Sequence, residues 1–312
     1  MLVYIKPKSI FPELHSDTLF GAMVTAMVDL FPSKVDEMIE NFKSNNPPFI
    51  ISSAFPFIEV DNKKIRFLPK FSTNEDLSNV ENVDVFKKFK KIEFLQEELV
   101  VKILNEELSL TEILNNYNNF FSLGDKLLLS DEVDFSSPFK NIIIPNNGIN
   151  RVDNSTEIFY SEGKIYNKNS GVFFFVKIFD EEYILIVKSI IKLLKDRGFG
   201  KDISNGKGHF DYEIEDIDIE DIINIKDTNN FITLSRYIPD LSFEEIDEDS
   251  SYEIEFKRSI SRSFDIRKQV RFFKEGSSFK GSKEFYGKIV STGKNAIEYG
   301  YAFPLKYYEG SG

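Results

Sequence analysis

One stretch constrains the fold more than any other: an amphipathic helix that runs directly into a glycine- and lysine-rich loop and then into an alternating strand. Across Glu181–Lys195, Tyr183, Ile186, Val187, Ile190 and Leu194 recur at helical spacing and form one apolar face. The loop reads GFGKDISNGKGHF from Gly198 to Phe210, and its four glycines are interleaved with Lys201 and Lys207 and preceded by Lys195 and Arg197. His209–Glu215 then alternates as a strand. Glycine lets backbone approach an anion closely and adopt positive φ with its N–H groups exposed, and the lysines add charge where a phosphate would lie. The loop is not a Walker A motif: the spacing is wrong, no Ser or Thr follows Lys207, and a helix rather than a strand precedes it. Nor is it a dinucleotide fingerprint. A flexible helix cap would account for Gly198 alone. Four glycines with interleaved lysines predict anion binding.

Upstream, Leu2–Lys6 reads as a first strand, followed by a turn at Pro7–Pro12. The string HSDTLFGAMVTAMVDLF places Leu19, Met23, Ala26, Met27 and Leu30 on one stripe, with Ser16 or Asp17 as the N-cap and a stop near Pro32. Phe49–Glu59 and Ile65–Pro69 read as strands around a polar turn at Asp61–Lys64, and strand signals resume at Ile158–Ser161 and Gly171–Ile178. Strand, helix, hairpin, helix, strand is the split-βαβ, ferredoxin-like order. Ser72–Asp134 is less regular, with short helices around Phe86–Phe94 and Thr111–Phe121, and reads as an insertion. The expectation is an α+β protein of two ferredoxin-like (RRM-like) domains. The first spans residues 1–215, with an insertion at about 72–134 and the glycine-rich loop at 198–208. After an acidic connector, a smaller domain at 230–312 is mostly strands: NFITLSRYIP, Tyr252–Ile260, Val270–Phe273 and Phe285–Pro304.

Composition removes whole classes of chemistry. With no cysteine, disulfides, thiolate zinc sites, iron–sulfur clusters and cysteine nucleophiles are excluded, and His15 and His209 are too few for a multi-histidine metal site. No cofactor is expected. No apolar stretch approaches the ~20 residues that span a membrane, and no signal-peptide pattern opens the chain, so a cytoplasmic protein without a membrane partner is the expectation. The net charge of −12 argues against general nucleic-acid binding, but the charge is segregated. Asp211–Asp221 holds seven acids in eleven residues, and Asp240–Glu255 holds eight acids and no base. Lys257–Lys274 holds seven bases against Asp265 alone. Such a strip can bind a short, defined piece of RNA.

Several strings, spread in order over the chain, carry a family resemblance: HSDTLFGA (His15–Ala22), INRVDNSTEIFYSE (Ile149–Glu162), RGFGKDISNGKGHF (Arg197–Phe210), TLSRYIP (Thr233–Pro239), RKQVRFFKEGSSF (Arg267–Phe279) and YGYAFPL (Tyr299–Leu305). A glycine-rich loop after the second helix of a ferredoxin-like domain resembles the hallmark of the CRISPR RAMP superfamily. Within it, these strings resemble the family of subunits that cap the crRNA 5′ end in Csm-type (type III-A) effectors. The insertion at Ser72–Asp134 shows no resemblance.

The resemblance implies a non-catalytic RNA-binding subunit that holds the repeat-derived 5′ tag of the crRNA, caps the backbone filament and docks the large polymerase-cyclase subunit. Its implied partners are the crRNA, that large subunit, the backbone RAMP subunit and, indirectly, target RNA. The residues that would meet RNA start with the loop: Arg197, Gly198, Phe199, Gly200, Lys201, Gly206, Lys207 and Gly208. Arg151 resembles a family arginine near RNA, with a surface salt bridge as its alternative. In the basic strip, Arg267, Lys268 and Arg271 are phosphate candidates, with Ser277 and its neighbours as hydrogen-bond donors. Phe199 and Phe279 could stack on bases or pack in the core. His15 and Ser16 could contact RNA or hold the turn. His15 also resembles, in position, the histidine of crRNA-processing endoribonucleases, so metal-independent cleavage is the alternative function. A scaffold that touches no RNA is a third. His209 reads as a strand residue.

Overall fold

The computed structural model describes residues 1–72, 82–149, 155–200, 206–223, 229–241, 246–258, 268–293 and 296–307. The chain opens with β1 (Leu2–Pro7), then α1 (Ser16–Leu30) and α2 (Pro32–Lys43). Pro32 ends the first helix as expected and also starts the second. At the first helical position its missing N–H costs nothing and its fixed φ suits the helix. Next come β2 (Phe49–Ile51), β3 (Phe55–Val60), β4 (Lys63–Pro69), α3 (Val83–Lys91), β5 (Phe94–Gln96), α4 (Glu97–Leu104) and α5 (Leu110–Asn115). β6 (Phe121–Leu123), β7 (Leu127–Leu129), the long β8 (Phe139–Ile149) and β9 (Thr156–Tyr166), and β10 (Ser170–Ile178) follow. α6 (Glu182–Arg197) and β11 (Phe210–Glu215) flank the glycine-rich loop.

Strands β11, β1, β10 and β3 lie side by side, all antiparallel. This is the strand order of a ferredoxin-like sheet, so the α+β class and the ferredoxin-like reading of the first unit are borne out. β1 is central: Leu2 sits between Phe175 and Glu215, and Ile5 between Val172 and Tyr212. Its side chains are buried on both faces, so it reads as a continuous apolar run of Leu2, Val3, Tyr4 and Ile5. α1 and α6 pack together, and Leu19, Met23, Met27, Val187, Ile190 and Leu194 enter the same core as the sheet residues Phe173 and Phe175.

The segment read as an irregular insertion is more ordered than its composition suggested. From β4 the sheet continues through β5, β7 and β6, with β5 and β7 parallel, and Leu95, Leu99, Val100, Ile113 and Leu128 join the main core. Short three-residue strands give too little alternation to be read from sequence. The β8–β9 hairpin was also only partly legible. Its eleven-residue strands pair from Phe139↔Tyr166 to Ile149↔Thr156.

Beyond a one-turn helix, α7 (Ile219–Ile222), the chain continues as β12 (Asn230–Thr233), β13 (Ile254–Lys257), β14 (Val270–Phe273), β15 (Ser278–Lys280), β16 (Tyr286–Gly293), β17 (Ala296–Ala302) and β18 (Pro304–Tyr307). Among the described residues these form three small antiparallel sheets: β15–β12–β18, β13–β14 and β16–β17. They do not have a core entirely of their own. Tyr299 stacks on Phe20 of α1 with ring centroids 4.7 Å apart, its hydroxyl accepts the Ile51 N–H at 3.0 Å, and the Tyr301 hydroxyl donates to the Phe42 carbonyl at 2.6 Å. The two-domain division at 1–215 and 230–312 therefore remains a proposal about chain order, because apolar packing crosses it. No helix among the described residues is long and apolar enough to cross a membrane.

Candidate functional site

The glycine-rich loop leaves α6 at Gly198, whose N–H caps the helix on the Leu194 carbonyl at 2.6 Å. Its neck is closed by the Phe199 N–H donating to the Gly208 carbonyl at 2.9 Å, and the Gly208 N–H donates to the Ile10 carbonyl at 2.8 Å. Gly208 is required twice over: its φ is +76°, and a Cβ there would lie 1.8 Å from the Phe199 carbonyl oxygen. Gly206, at φ +78°, has nothing within 4 Å of such a Cβ. The Lys8 N–H donates to the His209 carbonyl at 2.8 Å and the His209 N–H to the Ser9 hydroxyl at 3.1 Å, so the loop rests on the Lys8–Pro12 turn. His209 lies just before β11. Lys201 lies outside the described residues. Lys207 is half-buried, and Arg197 is ion-paired with Asp29 at the helix end.

The same turn holds the long hairpin. Phe11 exchanges both backbone hydrogen bonds with Lys164 of β9, each at 2.9 Å. Arg151 lies outside the described residues. The pair nearest it, Ile149↔Thr156, is eight residues along β9 from Lys164, or about 27 Å at strand rise. The glycine-rich loop and the hairpin thus share the Lys8–Pro12 turn at their bases. In the basic strip, Arg267 lies outside the described residues, Lys268 and Arg271 are exposed, and the Arg271 guanidinium lies 5.4 Å from the Phe256 ring centre.

Several candidates are turned inward instead. Phe199 is 4% exposed, stacked on Phe210 at 5.1 Å and edge-on to Phe11 at 5.7 Å, so its ring is core and has no face for a base. Phe279 is likewise buried, among Phe231, Tyr237 and Phe273. Ser277 is 1% exposed, its hydroxyl donating to the Lys274 carbonyl at 2.7 Å. The Gly276 N–H donates to the Thr233 carbonyl and its own carbonyl accepts from Ser72, each at 2.9 Å. The Gly276–Ser278 turn is therefore a buried joint between the end of β4 and the carboxy-terminal strands rather than an exposed anion cradle. Ser16 is 0% exposed; its hydroxyl accepts the Arg236 N–H at 3.0 Å. Neither Ser16 nor Asp17 caps α1. His15 occupies the N-cap position without a side-chain cap.

These serines and acids belong to a polar network that the sequence did not reveal. The His15 Nδ1 meets a Glu275 carboxylate oxygen at 2.8 Å, the Ser53 hydroxyl donates to the same oxygen, and the Ser16 N–H donates to Ser53 at 2.8 Å. Asp17, whose side chain is fully buried, accepts from Arg236 Nη1 at 3.2 Å and from Lys257. Arg236 reaches Glu255 at 2.8 Å through its other terminal nitrogen, and Lys257 reaches Glu298 at 3.2 Å. Burial opposes ionisation of Glu275, but the hydrogen bonds and charge of His15, the Ser53 hydroxyl and Arg236 overcome it and hold the carboxyl down at about 2. Burial likewise opposes protonation of His15, and the Glu275 bond and charge prevail to raise it. The available signal was an arginine inside the apolar, hydroxyl-rich run TLSRYIP: a buried charge of that kind demands an acid partner. His15 and Glu275 also line a cleft of about 400 Å³ with Phe55, Lys70, Phe94 and Lys274 among its walls.

The glycine-rich loop lies between α6 and β11, the edge strand of the ferredoxin-like sheet. No family model matches the chain. It is 24% identical over 241 residues, 76% of this chain and 74% of the other, to the CRISPR system protein Csm4 of Thermococcus onnurineus (strain NA1). Among solved structures, a chain of the Csm3–Csm4 subcomplex of a type III-A CRISPR-Cas interference complex superposes with a TM-score of 0.71 at 19% identity, covering 99% of both chains. A chain of a Csm1–Csm4 cassette in complex with pppApA gives 0.60 at 19% identity, over 100% of this chain and 98% of that one. The resemblance to the Csm-type family is borne out: the chain is similar to a Csm4 protein over 76% of its length, and chains of two Csm4-containing assemblies share its fold.

Proposed function

We propose that this chain is a non-catalytic RNA-binding subunit of a type III-A CRISPR effector complex, which holds the 5′ tag of the crRNA, caps the backbone filament and docks the large polymerase-cyclase subunit. The observation that supports this most is the locked neck of the glycine-rich loop, set between α6 and β11, the edge strand of the ferredoxin-like sheet. A neck fixed on the Lys8–Pro12 turn does not have to be ordered when RNA binds. The Csm3–Csm4 and Csm1–Csm4 assemblies support a backbone RAMP subunit and a large subunit as partners. Target RNA is met indirectly, through the crRNA. Backbone contacts position the RNA, and unstacked tag bases are read by shape and edge. Reversing charge at Lys201, Lys207, Arg267 and Arg271 together weakens tag binding and lowers its salt dependence by about 0.7 in log–log slope for each phosphate no longer neutralised. Unchanged binding would sink this assignment of the site.

A second reading, metal-independent RNA cleavage, rests on His15: its ring is oriented by Glu275 and its side chain is 26% exposed at the wall of the cleft. Five glutamates also line that cleft against three lysines, an acidic balance that disfavours a phosphate. Incubation with repeat RNA in EDTA decides between the two, since site-specific cleavage abolished by His15→Ala would establish the enzyme.

A further inference from the structure

The aromatic candidates for base stacking in the sequence, Phe199 and Phe279, are both buried, yet single-stranded RNA held only by charge lacks the stacking that such binding uses. The exposed aromatics lie elsewhere. Tyr252, Ile254 and Phe256 alternate along and just before β13, so they line one face, and they are 43%, 51% and 56% exposed. The intervening acids are engaged: Glu253 pairs with Lys274 at 3.1 Å and Glu255 with Arg236 at 2.8 Å. Directly across the ladder from Phe256 stands Arg271, with its guanidinium 5.4 Å from the ring centre. Arg258 and Lys268 are exposed on the same hairpin.

We infer that the outer face of the β13–β14 hairpin is a stacking platform for single-stranded RNA, with Phe256 and Arg271 as its centre. The occupant is argued from charge. The stripe is framed by the exposed Arg258, Lys268 and Arg271, and the acids between its aromatics are paired with Lys274 and Arg236, so the field at this face suits a polyanion. The ring holds the guanidinium in place, so a base stacks on the guanidinium plane or the free edge of the ring while the flanking cations meet the phosphates. This rests on the RNA-binding reading above and adds a site to it, at Phe256.

The test uses the full chain and a series of short single-stranded RNAs with 2-aminopurine at successive positions. Stacking quenches 2-aminopurine. The wild-type chain is expected to quench one position at least about twofold. Phe256→Leu, which keeps apolar volume and removes the ring, and Arg271→Gln are each expected to abolish that quench and weaken binding about 5- to 50-fold. Leu185→Ala, at an exposed apolar side chain of α6 outside the β13–β14 pair, serves as the control and is expected to leave the quench unchanged. A quench that survives both Phe256→Leu and Arg271→Gln overturns the platform while leaving the RNA-binding reading intact. RNA that does not bind the wild-type chain at all overturns both. If Phe256→Leu instead releases a co-purifying partner subunit with the quench unchanged, the face is a protein interface and the inference is wrong.

Discussion

Gly206→Ala and Gly208→Ala isolate what the loop neck contributes, because the two glycines share almost the same φ, +78° and +76°, and differ in what a methyl group would meet. Placing an L side chain in this left-handed region costs about 1–2 kcal/mol at either position. At Gly206 there is no further penalty. At Gly208 the new Cβ would lie 1.8 Å from the Phe199 carbonyl oxygen and 2.8 Å from the Phe199 carbonyl carbon and nitrogen, so backbone must move. Moving it breaks the Phe199–Gly208 hydrogen bond, about 1 kcal/mol. It also draws the Phe199 ring away from Phe11 and Phe210, about 1.5–3 kcal/mol of burial. Gly208→Ala should therefore cost about 2.5–4 kcal/mol more than Gly206→Ala. Urea unfolding followed by tyrosine emission reads the difference as a shift in midpoint at constant slope, the chain having no tryptophan. Costs equal to within about 0.5 kcal/mol would refute the argument that the neck is a packed, hydrogen-bonded unit.

Other outcomes follow from the buried network. Asp17→Ala strands Arg236 and Lys257 beside a fully buried site and is expected to cost about 3–5 kcal/mol in the same unfolding assay, well beyond an exposed ion-pair deletion such as Glu98→Ala. Glu275, with its carboxyl held at about 2 rather than 4.5, contributes about 3 kcal/mol at neutral pH. That contribution is present above about 4.5 and fades as pH falls toward 2. The raised His15 adds stability that is full below 6.5 and fades as pH rises through its higher folded value. Stability measured against pH should therefore be greatest between these limits, and Glu275→Gln should flatten both limbs. A variant that keeps the wild-type pH profile would show that the pair is not the origin. Tyr299→Phe removes the hydroxyl that accepts the Ile51 N–H and should cost about 1–2 kcal/mol, read as a lower thermal midpoint.

The elements that depend on local pattern are legible in the sequence itself. The α6 stripe, the loop and the alternating β11 follow from spacing alone, because a helix or strand with one buried face imprints its period on its own residues. Together with α1 they determined the split-βαβ order that the sheet confirms. The three-residue strands β5, β6 and β7, two of them paired through a parallel ladder, have no period long enough to read. The scattered strings point to Csm-type relatives, as the comparisons bear out, but a string does not say which of its residues reach the surface. Ser16, Phe199 and Ser277 lie in segments that look exposed and polar or flexible in sequence, yet all three are buried.

What the sequence determined by itself is the kind of backbone: an α+β chain without thiol or multi-histidine chemistry, carrying a glycine-rich loop at a defined place in the fold. Only tertiary structure decided which side chains are available at the surface. Asp17 and Arg236 are 219 residues apart and His15 and Glu275 are 260 apart, far beyond the reach of any local pattern. Burial and ion pairing are properties of such distant partners. A serine, a phenylalanine or a carboxylate carries no local sign of whether the chain will return to cover it.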